Sequence, residues 1–112
     1  MELNSIQEAV RWDVTIQQGS TFVRTMDLVG LDLTGLEFRG QIRREHEDTE
    51  VLADYTFEVT GTNTLTVSLT DEETEELPAE RLVHDIELVR ISPPFVARIL
   101  EGTVRVTPEV TK

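Results

Sequence analysis

This sequence predicts an all-β domain of two antiparallel sheets packed face to face, and three observations carry that prediction. Short segments alternate apolar and polar side chains, most clearly Leu36-Glu37-Phe38-Arg39-Gly40-Gln41-Ile42-Arg43. A period of two places Leu36, Phe38 and Ile42 on one face and Glu37, Arg39, Gln41 and Arg43 on the other. Glycine, proline, serine and asparagine punctuate the chain between such segments, as at Gln18-Gly19-Ser20 and Gly61-Thr62-Asn63. Finally, 112 residues with 38% apolar content supply one core and one domain.

Taken in order, residues 1–11 form an N-terminal arm ahead of a sandwich domain at 12–112. Within the arm, Ser5-Ile6-Gln7-Glu8 matches a capping box, and Leu3, Ile6 and Val10 have helical spacing; an extended segment lying on a neighbour is the other reading. Trp12, Val14 and Ile16 alternate with Asp13, Thr15 and Gln17 as a first strand, and Thr21 to Leu28 forms a second. The loop from Gly30 to Gly35 leads into the strand 36–43, and Glu45 to Glu50 is a charged hairpin tip. Ala53, Tyr55, Phe57 and Val59 make one apolar face; Leu65, Val67 and Leu69 make the next, across the Gly61 turn.

Thr70-Asp71-Glu72-Glu73 is a second capping box. The Thr70 hydroxyl accepts from the Glu73 amide while the Glu73 carboxylate accepts from the Thr70 amide, and the acids suit the positive end of a helix dipole. Pro78 stops this helix after one or two turns, which makes it a crossover between sheets. His84, Ile86 and Leu88 then face inward. After Ser92-Pro93-Pro94 the last strand runs through Val96, Leu100, Val104 and Val106, with a bulge or bend at Gly102 and an end at Pro108. About seven strands and one helical crossover describe an immunoglobulin-like antiparallel β-sandwich. Its core should contain Trp12, Phe38, Ile42, Phe57, Leu65, Val67, Ile86, Leu88 and Val104.

Composition excludes several classes of partner. A formal charge of −12 repels phosphate backbones and anionic membrane surfaces, so neither nucleic acid nor membrane is expected. No apolar run reaches the length of a membrane span, and no basic segment followed by an apolar one marks a signal peptide. The chain is expected to act where it is made or to be packaged there. Without cysteine there is no disulfide framework or thiolate metal site.

No residue pattern here points to chemistry, and no enzyme, cofactor, metal or small-molecule substrate is expected. Glu45-His46-Glu47-Asp48 lacks the spaced ligand pairs of structural zinc and reads as a solvated tip. His84 and Asp85 are strand neighbours that face apart, which makes His84 a core residue. The acids from Asp71 to Glu80 lack a calcium loop and read as a solvated helix start. No serine sits in a nucleophile elbow, and Trp12 reads as a core anchor.

The order of features carries a resemblance. It runs from Trp12 and Gly19-Ser20-Thr21-Phe22 through Asp32-Leu33-Thr34-Gly35 and Arg39-x-Gln41-Ile42-Arg43. It continues with Leu69-Thr70-x-x-Glu73-Thr74-x-x-Leu77-Pro78 and His84-Asp85-Ile86-Glu87-Leu88, and ends with Ile99-Leu100-Glu101-Gly102-x-Val104-x-Val106-x-Pro108-Glu109-Val110-Thr111. Over residues 12–111 this resembles the small β-sandwich virion structural proteins of tailed bacteriophages, and is similar to the N-terminal domain of baseplate upper proteins. Such proteins commonly carry Tyr where His84 stands. The resemblance implies a virion component, made in the host cytoplasm, that assembles with other virion proteins and with itself as a tail or baseplate adaptor or fibre-base module. A capsid decoration protein is the alternative, followed by a module that binds a host glycan. Low aromatic content, 5%, argues against the glycan module. The expected partner contacts are Leu3, Ile6 and Val10 in the arm and Val110 beyond the last strand.

Overall fold

The computed structural model describes residues 9–110. Among them the elements run β1 (Val10–Arg11), β2 (Val14–Gln17), β3 (Phe22–Asp27), β4 (Leu36–Arg43), β5 (Ala53–Asp54) and β6 (Thr56–Val59), then β7 (Thr64–Leu69), α1 (Asp71–Glu75), β8 (Arg81–Arg90) and β9 (Phe95–Thr107). One sheet has the order β1-β9-β8-β4-β5, with β2 also on β9; the other is β3-β7-β6. The chain crosses between the sheets at 18–21, at 28–35, at Tyr55 and through α1, which gives an immunoglobulin-like sandwich.

The seven expected strands become nine because one of them breaks and two residues of the expected arm pair as a strand of their own. Trp12 and Asp13, expected in the first strand, instead separate β1 in the expected arm from β2, and both pair with β9 in parallel and in one continuous register from Val10↔Leu100 to Gln17↔Thr107. The sheet therefore begins at Val10, two residues before the expected start of the sandwich at residue 12. The alternating segment 53–59 breaks at Tyr55: β5 pairs with β4, and β6 pairs with β7 in the opposite sheet. A strand that changes sheets keeps its alternation, so sequence periodicity is blind to the change.

The capping box on α1 is present as expected, with Glu73 N donating to Thr70 Oγ1 at 3.1 Å and Thr70 N donating to Glu73 Oε1 at 2.8 Å. The Thr74 hydroxyl, fully buried, donates to the Ser20 carbonyl at 2.8 Å and seats this turn on the β2–β3 connection.

The core between the sheets contains Ile42, Leu65, Val67, Ile86, Leu88 and Val104, as the alternation predicts. Trp12, Phe38 and Phe57 are only half-buried at its margin, because each lies beside a place where a strand ends or changes sheet. Their places are taken by loop and crossover residues, Leu31, Leu33 and Leu77, and by Leu82.

The irregularity in β9 lies at Ile99, not at Gly102. Ile86 pairs with Leu100 and Glu87 with Arg98, which leaves Ile99 as the extra residue of a bulge. The inward face changes there: Ile99 itself is buried, the even-numbered Val104 and Val106 are buried after it, and the even-numbered Val96 before it is exposed. Gly102 has a different role. A Cβ at that position would overlap the Trp12 carbonyl, so only glycine lets the β1–β2 break lie against β9.

Candidate interaction surface

The strands run along the long axis of the molecule, since the thirteen residues of β9 at about 3.3 Å each span most of its 45 Å length. The connections therefore gather at two ends. At one end lie 28–35, 60–63 and 91–94, which we call the loop end. Leu28 N donates to the Asn63 carbonyl at 2.7 Å and Leu33 N to the Thr62 carbonyl at 2.9 Å, and Leu36 pairs with Arg90 at the base of the β8–β9 turn. At the other end lie the β4–β5 tip, α1 and the residues after β9.

The two ends differ in chemistry. Residues 44–52, 70–81 and 109 carry eleven carboxylates against Arg44 and Arg81, a net −9 of the chain's −12. Arg44 holds Glu50 at 2.7 Å and Glu80 at 3.2 Å, which ties the hairpin tip to the segment before β8. The three loop-end connections carry only Asp32. Its carboxylate accepts from Thr34 N at 2.9 Å, a bond that holds its pKa below the usual carboxylate value. The same end exposes large apolar side chains: Val29 is 75% exposed, Ile91 64%, Val96 53% and Val59 46%. Pro93 and Pro94 are exposed beside them.

The expected contact residues do not form one site. Val10 is exposed on β1 beside Leu100 near the middle of β9, and Val110 is exposed beyond the end of β9, so the two do not meet. Leu3 and Ile6 lie outside the described residues. The loop-end residues were missed for two reasons. Val29 and Ile91 sit in turns with no periodicity, and Val59 and Val96 continue an alternation that the breaks at Tyr55 and Ile99 carry out of the core.

His84 is buried and spoken for at both ring nitrogens. Nε2 lies 2.7 Å from the Trp12 carbonyl and Nδ1 lies 2.6 Å from the Tyr55 hydroxyl. A carbonyl only accepts, so Nε2 carries the proton and Nδ1 accepts from Tyr55. The Trp12 indole stacks on the imidazole at 5.1 Å. Burial lowers the His84 pKa, against the Trp12 bond and the charges of Asp85 and Asp13, and burial pushes the Tyr55 hydroxyl up. This trio joins the first strand, the last hairpin and the sheet-changing segment. Asp13 completes the junction by accepting from Thr103 N at 2.9 Å, which with Arg11 lowers its pKa to about 2.

A polar depression of about 240 Å³ on the outer face of β4, β8 and β9 is rimmed by Gln41, Arg43, His46, Asp85, Glu87 and Arg98. Glu87 pairs with Arg39 at 2.8 Å and Asp85 with Arg98 at 3.6 Å, while Arg43 donates to the Gln41 amide oxygen at 2.6 Å and the Asp48 carbonyl at 2.8 Å. Among the described residues no group of three His, Asp or Glu side chains is placed to hold a metal ion. No helix among them is long and apolar enough to cross a membrane. All six aromatic rings, of Trp12, Phe22, Phe38, Tyr55, Phe57 and Phe95, are buried or half-buried. No protein-family model matches the chain, and a search of curated proteins finds none similar to it.

Proposed function

We propose that this chain is a structural virion protein of a tailed phage, a tail or baseplate adaptor or fibre-base module that works by protein–protein assembly. The observation that carries the reading is the division of the surface: exposed valine, isoleucine and proline at an end whose connections carry one charge, and a net −9 at the other. Exposed apolar groups gathered on one region of a small domain mark a contact surface. The order of sequence features that resembles phage β-sandwich proteins supplies the setting. A glycan-binding module needs exposed rings as stacking platforms, and the half-buried and buried rings here count against it.

The reading assigns no catalytic step. Affinity would come from burying the loop-end side chains, with hydrogen bonds from the loop backbone supplying orientation. The test is to express the tagged chain during infection and band the particles on a density gradient. Cosedimentation with intact particles at a fixed copy number is expected. A chain found only in the soluble fraction would overturn the proposal.

A further inference from the structure

Resting on the assembly reading above, we infer that the loop end is a self-docking surface on which two copies meet end to end through Val29, Val59, Ile91, Pro93, Pro94 and Val96. Four of the seven exposed large apolar side chains among the described residues lie at this end. Charge then selects the occupant and its orientation. The end-to-end arrangement keeps the two acidic ends about 80 Å apart, many times the ~10 Å over which charges interact at 0.1 M salt. An arrangement that brings an acidic end near a second copy meets a surface in which ten Lys and Arg face 22 acids, so repulsion outweighs attraction.

Side-by-side contacts are opposed as well. β3 is an edge strand, and the Arg24 guanidinium donates to the Val23 carbonyl at 2.8 Å, which puts a charge at that edge. The outer face of the larger sheet is laced with the ion pairs of Arg39 and Arg98, which a lateral contact would have to desolvate. The loop-end connections carry one charge, Asp32, and beside them the Arg90 guanidinium already donates to the Pro93 carbonyl at 2.9 Å, so covering this end desolvates fewer charged groups than a lateral contact does.

The size of the end fits a reversible contact. Its cross-section of 30 × 21 Å gives about 500 Å² per copy and about 1,000 Å² in all, the low end of specific interfaces. Such a dimer would be weak in solution and reinforced where copies are held side by side in a larger assembly.

Sedimentation velocity of the full chain over a range up to high micromolar tests this. A monomer–dimer equilibrium is expected, changing little in salt, and the double variant Val29→Asp with Ile91→Asp should be monomeric while keeping its circular dichroism spectrum. The absence of native cysteine permits a second measurement. Oxidised Ile91→Cys should form a disulfide dimer, and Glu75→Cys at the acidic end should not. A wild-type chain that stays monomeric, a dimer indifferent to the double variant, or crosslinking through Glu75→Cys would each overturn self-docking. A monomer that still cosediments with particles removes self-docking and leaves the virion reading; a dimer absent from particles does the reverse.

Discussion

Protonating His84 would place a cation between the Tyr55 hydroxyl and the Trp12 indole, and would cost Tyr55 its acceptor. Burial holds the folded-state pKa of His84 below its ordinary 6.5. The unfolded chain therefore binds the extra proton first, and stability rises with pH across that window. The contribution is complete above about pH 6.5 and is lost as pH falls toward the folded-state value. Urea melts at pH 7 and pH 5 should show the wild type losing stability between them. His84→Gln keeps a donor for the Trp12 carbonyl and an acceptor for Tyr55, so its loss should be smaller; equal losses in both proteins would show that His84 is not the group responsible. The inward direction of His84 was legible from the alternation with Ile86 and Leu88. Its partners were not, since Trp12 and Tyr55 lie 72 and 29 residues away in the chain.

Periodicity locates strands well and their ends poorly. The helix start at Thr70 was readable because a capping box is a local hydrogen-bond pattern. The change of sheet at Tyr55 and the bulge at Ile99 were not, because both are set by the partner strand. Phe38 bears the consequence. It sits on the apolar face of β4, but β5 extends the sheet only beside Gln41 and Ile42, so Phe38 lies at an open sheet edge where its ring is half-buried and meets Phe57 at 6.0 Å. Ile42, four residues on and within the stretch that pairs with β5, is completely buried. Ile42→Ala should cost about 2–5 kcal/mol, in the range of filled core sites. Phe38→Ala, where solvent already reaches the ring, should cost less than the ~3–5 kcal/mol of a fully buried phenylalanine. Chemical denaturation of the two variants gives the order. A larger loss for Phe38→Ala would mean that the Phe38–Phe57 contact, and not the paired centre of the sheet, holds the layers together.

At the scale of the whole molecule, −12 is less informative than where the charge lies. A net charge read from composition suggests solubility; only the fold shows that three segments far apart in sequence, 44–52, 70–81 and 109, bring −9 to one end. The carboxylates there share few cations, Arg44 being divided between Glu50 and Glu80. Mutual repulsion should therefore strain the folded state at low ionic strength, where the screening length is about 30 Å, and relax near 0.15 M salt, where it is about 8 Å. The melting temperature should rise by several degrees from the first condition to the second. Replacing Glu72, Glu75 and Glu76 together with Gln should raise the low-salt melting temperature and flatten its dependence on salt. Glu73 is spared, because its carboxylate closes the capping box. Calcium chloride at matched ionic strength tests whether the acids act as diffuse charge or as a site. Equal melting temperatures in sodium and calcium support diffuse charge, and an added rise with calcium would mean that a specific site forms among them. A melting temperature indifferent to sodium chloride would show that the fold already spaces these charges widely enough, and charge would then lose its place in the case for end-to-end docking.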